Sequence, residues 1–294
     1  MYRLQLRFLP ALVAGLLLMG VMLTGCGATG ANGPALAASV NGHGIALSDY
    51  QGMLAFYKAS TARQASVDWR TPAGRGELVS AENSTLDFLI NLELIHEQLS
   101  AKHLTVAQKD ITTARQQLDS QIKAAQSQGT SSLAPLVSAL TPRVRDLFVE
   151  QQVDVQTLAA HISVPTVHAR GILVQSKADA EKLLTQATQG TDFGQLAKDN
   201  SKDSATAVNG GELGTIYIGQ FGGDFDTKVF SVAKPPKYVI TQAGTGYALF
   251  EVTQPGEKPL SGVQDAQTQQ SVLDAWLKMD VRSHANVQRY VTTG

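Results

Sequence analysis

The hydrophobic pattern begins with an almost unbroken apolar run from Phe8 to Leu23, preceded by Arg3 and Arg7. This run is shorter than the roughly 20 apolar residues that a membrane-spanning helix needs. A basic start followed by a short apolar segment is typical of an export signal that is cleaved from the mature protein. We therefore predict that residues 1–25 are a signal peptide and not part of the fold.

Beyond this segment, the apolar positions follow a helical period as far as residue 163. The dipeptide Asn41-Gly42 first separates two short apolar stretches, which predicts a β-hairpin. The longest helix, capped by Asn83 or Ser84, presents an apolar face so wide that we expect burial on more than one side. Its apolar residues are Leu86, Phe88, Leu89, Ile90, Leu92, Ile95 and Leu99. Residues 38–163 are therefore predicted to form a helical domain.

The pattern changes near Val164, where apolar and polar positions begin to alternate as they do in β-strands. From there to residue 256, strand-like and helix-like segments are predicted in the order β-α-α-β-α-β-β. Glycine-rich turns separate some of them, as at Asn209-Gly210-Gly211. Residues 164–256 are therefore predicted to be a separate domain that contains both helices and strands.

The last part of the chain predicts one more helix and a closing strand. Apolar residues around Trp276 recur at near-helical spacing, and residues 285–291 alternate as in a strand. A lone amphipathic helix needs a surface that covers its apolar stripe. We therefore predict that residues 257–294 pack on the N-terminal domain. The fold class is then α+β, with the 164–256 domain inserted into a discontinuous helical domain that the C-terminal helix completes.

Cys26 is the only cysteine in the sequence, and it directly follows Leu23-Thr24-Gly25. These residues resemble the lipobox of bacterial lipoproteins, in which the cysteine thiol receives diacylglycerol. The resemblance implies a lipid anchor at Cys26 on the extracytoplasmic face of the cell membrane. The residues after Cys26 are rich in Gly, Ala and Asn, which predicts a flexible tether over residues 26–37. Because no second cysteine exists, the mature chain has no disulfide framework and no cysteine-ligated zinc site.

The charge and the histidines exclude two other classes of function. The formal net charge is −1, so the chain has no broad basic field of the kind that holds nucleic acid. The six histidines are scattered, without a pair four residues apart or an H-E-x-x-H motif. We interpret them as ordinary surface or core residues and predict neither a metal nor a cofactor.

A series of short motifs between Val167 and Val252 carries a family resemblance. In chain order they are Ala169-Arg170-Gly171-Ile172-Leu173-Val174, Asp192-Phe193-Gly194-Gln195-Leu196-Ala197-Lys198, Ser201-Lys202-Asp203-Ser204, Asn209-Gly210-Gly211-Glu212-Leu213-Gly214, Gly219-Gln220-Phe221 and Phe225 to Phe230. Their order and spacing resemble the parvulin, or PpiC-type, peptidyl-prolyl cis-trans isomerase domain. The flanking regions, including residues 39–42, residues 86–106 and the helix around Trp276, resemble the chaperone domain of the PrsA and SurA foldases.

This resemblance implies an extracytoplasmic folding factor whose partners are unfolded or partly folded exported polypeptides with Xaa-Pro bonds. Rotation about such a bond faces a barrier of about 18–20 kcal/mol because the amide loses its conjugation. An isomerase must therefore bind the twisted amide better than either planar form. By resemblance, Leu213, Phe221 and Phe225 form an apolar seat for the proline ring, and Asp203 and Thr245 act as catalytic groups beside the carbonyl.

Two positions depart from the parvulin pattern, because Gly171 and Ala248 stand where the family has histidines. His168 and Tyr247 cannot replace them, since strand alternation turns both side chains to the opposite face. If the family histidines mainly orient their neighbours, activity falls but survives. If they stabilise the twisted amide directly, activity is nearly lost.

Two alternatives to an isomerase follow from these observations. One is a catalytically inactive holdase chaperone that uses the parvulin domain for peptide binding or structure, which Gly171 and Ala248 favour. The other is a solute-binding or structural lipoprotein, against which the ordered parvulin motifs argue. The wide apolar face of the longest helix could serve as a core, as a groove for client chains or as a homodimer contact.

Overall fold

The computed structural model describes residues 35–64, 67–127, 134–232 and 234–292. The predicted signal peptide, Cys26 and most of the tether lie outside the described residues. None of the helices in these ranges combines the length and the apolar character that crossing a membrane requires. The chain divides into one unit that runs up to Leu158 and resumes at His284, and a second unit from Ala159 to Ser283.

The first unit contains a small antiparallel sheet that joins the two ends of the described chain. Strands β1 (Leu36–Val40) and β2 (His43–Ala46) form the predicted hairpin. Its turn residues Asn41 and Gly42 have φ angles of 48° and 92°, as a two-residue turn of this kind requires. The last strand, β7 (Val287–Arg289), pairs with the free edge of β1. The sheet order is therefore β2-β1-β7.

Helices make up most of the chain between β2 and residue 161. They are α1 (Leu47–Gln64), α2 (Pro72–Ala101), α3 (Gln108–Ser127), α4 (Ala134–Ala139) and α5 (Pro142–His161). Helix α2 begins about ten residues before its predicted start, because Pro72 occupies its first position and the Thr71 hydroxyl accepts a hydrogen bond of 2.8 Å from the Gly74 amide. The wide apolar face of α2 is buried and serves as core of the first unit, with Leu86, Ile90 and Leu94 fully covered.

The second unit is built on a four-stranded antiparallel sheet with the order β4-β3-β6-β5. Its elements are β3 (Ser163–Val174), α6 (Lys177–Thr188), α7 (Phe193–Asn200), α8 (Ser204–Ala207), β4 (Glu212–Tyr217), α9 (Gly223–Val229), β5 (Tyr238–Ala243), β6 (Gly246–Pro259) and α10 (Ala266–Trp276). The structure adds only the short helix α8 to the predicted order of residues 164–256. The predicted α+β class is confirmed.

The two faces of this sheet carry different layers. On the face that we call the front, Ala169, Ala248 and Phe250 pack with Phe225 and Val229 of α9. On the back face, Ile172, Val174 and Leu249 pack with side chains of α6 and α7. Alternation along β3 and β6 thus fixes which side chains reach each face.

The structure divides the predicted C-terminal segment, residues 257–294, between the two units. Strand β7 joins the first unit, but α10 belongs to the second unit, although the sequence assigned both to the N-terminal domain. A side chain at Gly219, just after β4, would lie 2.5 Å from the Ser271 carbonyl oxygen and 2.7 Å from Ala275 Cβ. This glycine therefore lets α10 approach the chain closely. The spacing of apolar residues in α10 predicted that one side of this helix is buried. It did not identify the surface on which that side packs.

Candidate functional site

Three phenylalanine rings meet at the front face of the second unit, and we call them the aromatic cluster. Phe225 on α9 and Phe250 on β6 are buried, with ring centroids 4.8 Å apart. Phe221 precedes α9, and its ring centroid lies 5.2 Å from that of Phe225 and 5.4 Å from that of Phe250. Phe221 keeps 46% of its surface exposed. The cluster therefore offers an aromatic surface to solvent, supported from below by two fixed rings.

The chain positions Phe221 through a tight loop between β4 and α9. Gly219 and Gly222, which flank this segment, have φ angles of 83° and 67°, a region that favours glycine. The buried Asp226 on α9 accepts a hydrogen bond of 2.7 Å from the Gly219 amide at Oδ2. Burial raises the pKa of Asp226, although the Gly219 and Gly222 amides act in the opposite direction. The Asp226 carboxylate thus fixes the loop that presents Phe221.

Gly171 lines the same site from β3. A Cβ atom at this position would lie 3.0 Å from Leu213 Cδ1 and 3.5 Å from Phe250 Cε1. Ala248, two residues before Phe250 on β6, is buried in the same front-face cluster. Gly171 and Ala248, which the sequence predicts to occupy the family's histidine positions, therefore face the aromatic cluster and make this wall apolar.

His168 and Tyr247 lie on the opposite face, as strand alternation predicted. Tyr247 packs with Ile172 and Leu249 on the back face. His168 Nε2 lies 2.9 Å from Glu212 Oε1, so its imidazole has a carboxylate partner of its own. Neither side chain supplies the hydrogen-bonding groups that Gly171 and Ala248 lack.

The two residues assigned to catalysis occupy different environments. Asp203 caps α8, where its Oδ1 accepts from the Ala205 amide at 3.2 Å and its Oδ2 accepts from the Thr206 hydroxyl at 2.6 Å. Both carboxylate oxygens are thus engaged within their own helix turn. Thr245 is exposed in the two-residue turn that joins β5 to β6. The catalytic roles of Asp203 and Thr245 stay predictions.

The predicted apolar seat comes together in the structure. Phe221 contacts Phe225, and Leu213 packs against the cluster that contains Phe225 and Phe250. Sequence reasoning missed Phe250, although its spacing of two from Ala248 on one strand places both side chains on one face. It also missed Thr241, which is 5% exposed and lies directly opposite Ala248 on β5. The Thr241 side chain therefore shares the face of Ala248.

This chain is similar to several known proteins. Residues 147–256 match the family described as PPIC-type PPIASE domain. A Foldase protein PrsA from Caldanaerobacter subterraneus subsp. tengcongensis is 27% identical over 241 residues, which are 77% of this chain and 78% of the relative. A second Foldase protein PrsA, from a Geobacillus species, is 28% identical over 178 residues, which are 56% of this chain and 63% of the relative.

A solved structure of a peptidylprolyl isomerase (PrsA) from Bacillus anthracis also resembles this chain. The alignment has 20% sequence identity and a TM-score of 0.32, and it covers 66% of this chain and 95% of that one.

Proposed function

We propose that the chain is an extracytoplasmic folding factor, because residues 147–256 match the PPIC-type PPIASE domain family. It binds Xaa-Pro segments of exported polypeptides and accelerates their cis-trans exchange. The sequence-based recognition of a parvulin domain is confirmed by the family match, and the similarity to PrsA foldases extends over 77% of the chain. Uncatalysed exchange takes tens to hundreds of seconds, so folding of an exported chain can wait for it.

The observation that carries this proposal is the half-exposed ring of Phe221 above Phe225 and Phe250. An isolated exposed phenylalanine needs no explanation, but this ring rests on two buried rings and is held by a loop with two glycines of positive φ. A proline ring that covers Phe221 removes apolar surface of both partners from water, which favours binding. Leu213 extends the same surface toward Gly171.

The apolar wall also has a consequence for catalysis. A planar amide owes part of its charge separation to conjugation, and the twisted amide loses that conjugation. An apolar surrounding therefore destabilises the planar forms more than the twisted form, which lowers the barrier. Gly171 and Ala248 leave this effect in place while they remove side-chain hydrogen bonds to the substrate. We infer a slow isomerase whose catalysis rests mainly on the apolar seat.

Peptide binding and exchange together test the proposal. A peptide with one Xaa-Pro bond is titrated into this protein without its predicted signal peptide. The cis-trans exchange of the peptide is followed by NMR. Phe221→Ala should weaken binding about tenfold or more, because truncating a central aromatic contact costs more than about 1.4 kcal/mol. Val208→Ala is the control, since Val208 is also an exposed apolar residue of this unit, 69% exposed. Equal peptide affinities of the two variants would show that Phe221 does not bind the proline ring.

A holdase is the second candidate function, and Gly171 and Ala248 are the observation that favours it. If the wild type binds the peptide without accelerating exchange, the domain is a binding module. Aggregation of a client protein would then be measured with the wild type and with Phe221→Ala. Equal suppression by both would assign the chaperone activity to residues outside the aromatic cluster. No suppression at stoichiometric amounts would reject the holdase.

The lipid anchor is a separate proposal that rests on Cys26 and the residues before it. We propose that the Cys26 thiol carries diacylglycerol and holds the chain at the extracytoplasmic face of the membrane. Replacing Cys26 with serine removes the thiol that accepts the lipid. The variant should appear in the soluble extracytoplasmic fraction, whereas the wild type should stay with the membrane and incorporate labelled fatty acid. A wild type that takes up no label would reject the anchor.

A further inference from the structure

A cluster of one histidine and two glutamates lies in the first unit, where the β1–β2 hairpin meets helix α2. His43 is the first residue of β2 and directly follows the Asn41-Gly42 turn. Glu93 and Glu97 are four residues apart on α2, so their carboxylates share one face of that helix. The hairpin places the imidazole over this face.

The donor atoms have the spacing of a coordination sphere. His43 Nδ1 lies 3.1 Å from Glu93 Oε1 and 3.4 Å from Glu97 Oε1, and one donor atom of each residue lies within 4.8 Å of those of the other two. A tetrahedral zinc ion with bonds of about 2.0–2.2 Å keeps neighbouring ligand atoms about 3.3–3.5 Å apart. One small cation therefore fits among these atoms with little movement of the protein.

The second oxygen of each carboxylate is already oriented by another residue. Asn41 Nδ2 donates a hydrogen bond of 2.7 Å to Glu97 Oε2. His96 Nδ1 lies 3.8 Å from Glu93 Oε2, while its Nε2 is held 2.7 Å from Asp154 Oδ2. Such outer contacts are typical of metal sites, where they fix the ligands and leave the inner oxygens free to bind.

One inner oxygen is buried without a hydrogen bond. Among the residues that the structure describes, nothing donates a hydrogen bond to Glu97 Oε1, although the atom is shielded from solvent. A buried carboxylate oxygen in this state is costly, and buried polar atoms are normally satisfied. His43 alone does not remove this cost, because its side chain is 66% exposed and an exposed ion pair contributes little.

We propose that His43, Glu93 and Glu97 bind a divalent transition-metal ion, with zinc as the reference ion and water completing the coordination. Three protein ligands with one open position are a common arrangement for zinc, and imidazole favours zinc over magnesium or calcium. The ion would connect the β1–β2 hairpin to α2. Because β1 also pairs with β7, the ion would stabilise the sheet that holds both ends of the first unit together.

Zinc titration of this protein, without its predicted signal peptide and freed of bound metal by a chelator, tests this site. Calorimetry should show one zinc ion per chain, and zinc should raise the Tm. His43→Ala and Glu97→Gln should each lower the zinc affinity at least about tenfold, because each removes a ligand. Glu97→Gln keeps the shape of the side chain and the acceptor for Asn41, so it separates loss of ligation from loss of fold.

His168→Ala is the matched control, since His168 also lies beside a glutamate, with Nε2 2.9 Å from Glu212 Oε1. It should bind zinc as the wild type does. The proposal is overturned if the wild type binds no zinc, or if His43→Ala and Glu97→Gln bind zinc as tightly as His168→Ala. It is also overturned if zinc raises the Tm of His43→Ala as much as that of the wild type.

Discussion

At the scale of single residues, the apolar wall beside the aromatic cluster is set by Gly171 and Ala248, two positions without a hydrogen-bonding side chain. A side chain at Gly171 would meet Leu213 Cδ1 at 3.0 Å, which is the end of a flexible side chain and can move aside. Ala248 lies in the same front-face cluster. Histidines at both positions would therefore enter the site beside the aromatic rings.

The variant Gly171→His with Ala248→His should accelerate exchange about tenfold or more over the wild type, which equals about 1.4 kcal/mol of barrier. The physical reason is that imidazoles restore hydrogen-bonding groups beside the rotating carbonyl. Exchange NMR on an Xaa-Pro peptide measures the effect, and Gly171→Ala serves as the control for the added Cβ. An unchanged rate in a folded double variant would show that the apolar seat alone sets the barrier.

Asp226 provides a pH-dependent test of the loop that presents Phe221. Burial raises its folded-state pKa above the ordinary value of about 3.9, so the folded chain takes up this proton at a higher pH than the unfolded chain. The ionised form of Asp226 therefore destabilises the fold at neutral pH, and this cost is lost as the pH falls through the folded pKa. Asp226→Asn should be more stable than the wild type at neutral pH.

The stability difference between Asp226→Asn and the wild type should shrink as the pH falls toward about 4. Urea unfolding at several pH values measures this difference. Asp224→Asn is the control on the same helix. Asp224 is exposed, and its surface ion pair with Lys228 contributes at most about 1 kcal/mol. A difference that is constant with pH would contradict the account of Asp226.

The sequence predicted which residues of the seat come together, but it did not predict contacts between side chains that are far apart in the chain. Leu213, Phe221 and Phe225 followed from family motifs, and the structure brings them together with Phe250. The histidines, in contrast, appeared as isolated residues. His43 and Glu93 are 50 positions apart, and only the hairpin turn brings them into contact. A scan for ligands at short spacing cannot detect such a site.

At the scale of elements, the contact between α10 and the segment after β4 supports the loop that carries Phe221. A Cβ at Gly219 would lie 2.5 Å from the Ser271 carbonyl oxygen, which belongs to a helix backbone and cannot move freely. Gly219→Ala should therefore lower the free energy of unfolding by about 1–3 kcal/mol. It should also weaken peptide binding, because the loop must shift.

Gly214→Ala is the matched control for this substitution. Its φ of 76° resembles the 83° of Gly219, but a Cβ at Gly214 would meet no atom within 4 Å. Both variants place alanine at a similar positive φ, so their difference in urea unfolding reports mainly the contact with α10. Equal losses of stability would contradict the proposed role of this contact.

Local sequence signals predicted elements well where a turn or a strand period specifies the geometry. The Asn41-Gly42 hairpin and the order of helices and strands along residues 164–256 are examples. The start of α2 was wrong because Thr71 caps a helix that begins at Pro72, and Gly74 and Gly76 in its first turns weaken the helical signal. The position of α10 was wrong because an apolar stripe does not specify its neighbour.

At the scale of the whole molecule, the first unit depends on strands from both ends of the described residues. Strand β7 pairs with β1, Arg289 lies 2.8 Å from Asp87 on α2, and the hydroxyls of Ser39 and Tyr290 are 3.0 Å apart. A chain that ends at Ser283 lacks these contacts and leaves an edge of β1 unpaired.

This truncated chain should have a Tm several degrees below that of the wild type, because a loss of about 1 kcal/mol already shifts the Tm by about 2–4 °C in a chain of this size. Binding of an Xaa-Pro peptide should be unchanged, since the aromatic cluster lies in the other unit. A chain that ends at Val291 keeps β7 and is the control. An unchanged Tm after removal of β7 would contradict the structural role of this strand.

The central claim is that a PPIC-type domain with Gly171 and Ala248 at its histidine positions still catalyses exchange through the apolar seat around Phe221. The most direct test is the cis-trans exchange rate of an Xaa-Pro peptide, measured by exchange NMR with the whole exported chain. We predict that the wild type and Val208→Ala accelerate exchange, and that Phe221→Ala loses most of this acceleration. A wild type that binds the peptide and leaves its exchange rate unchanged would contradict the claim.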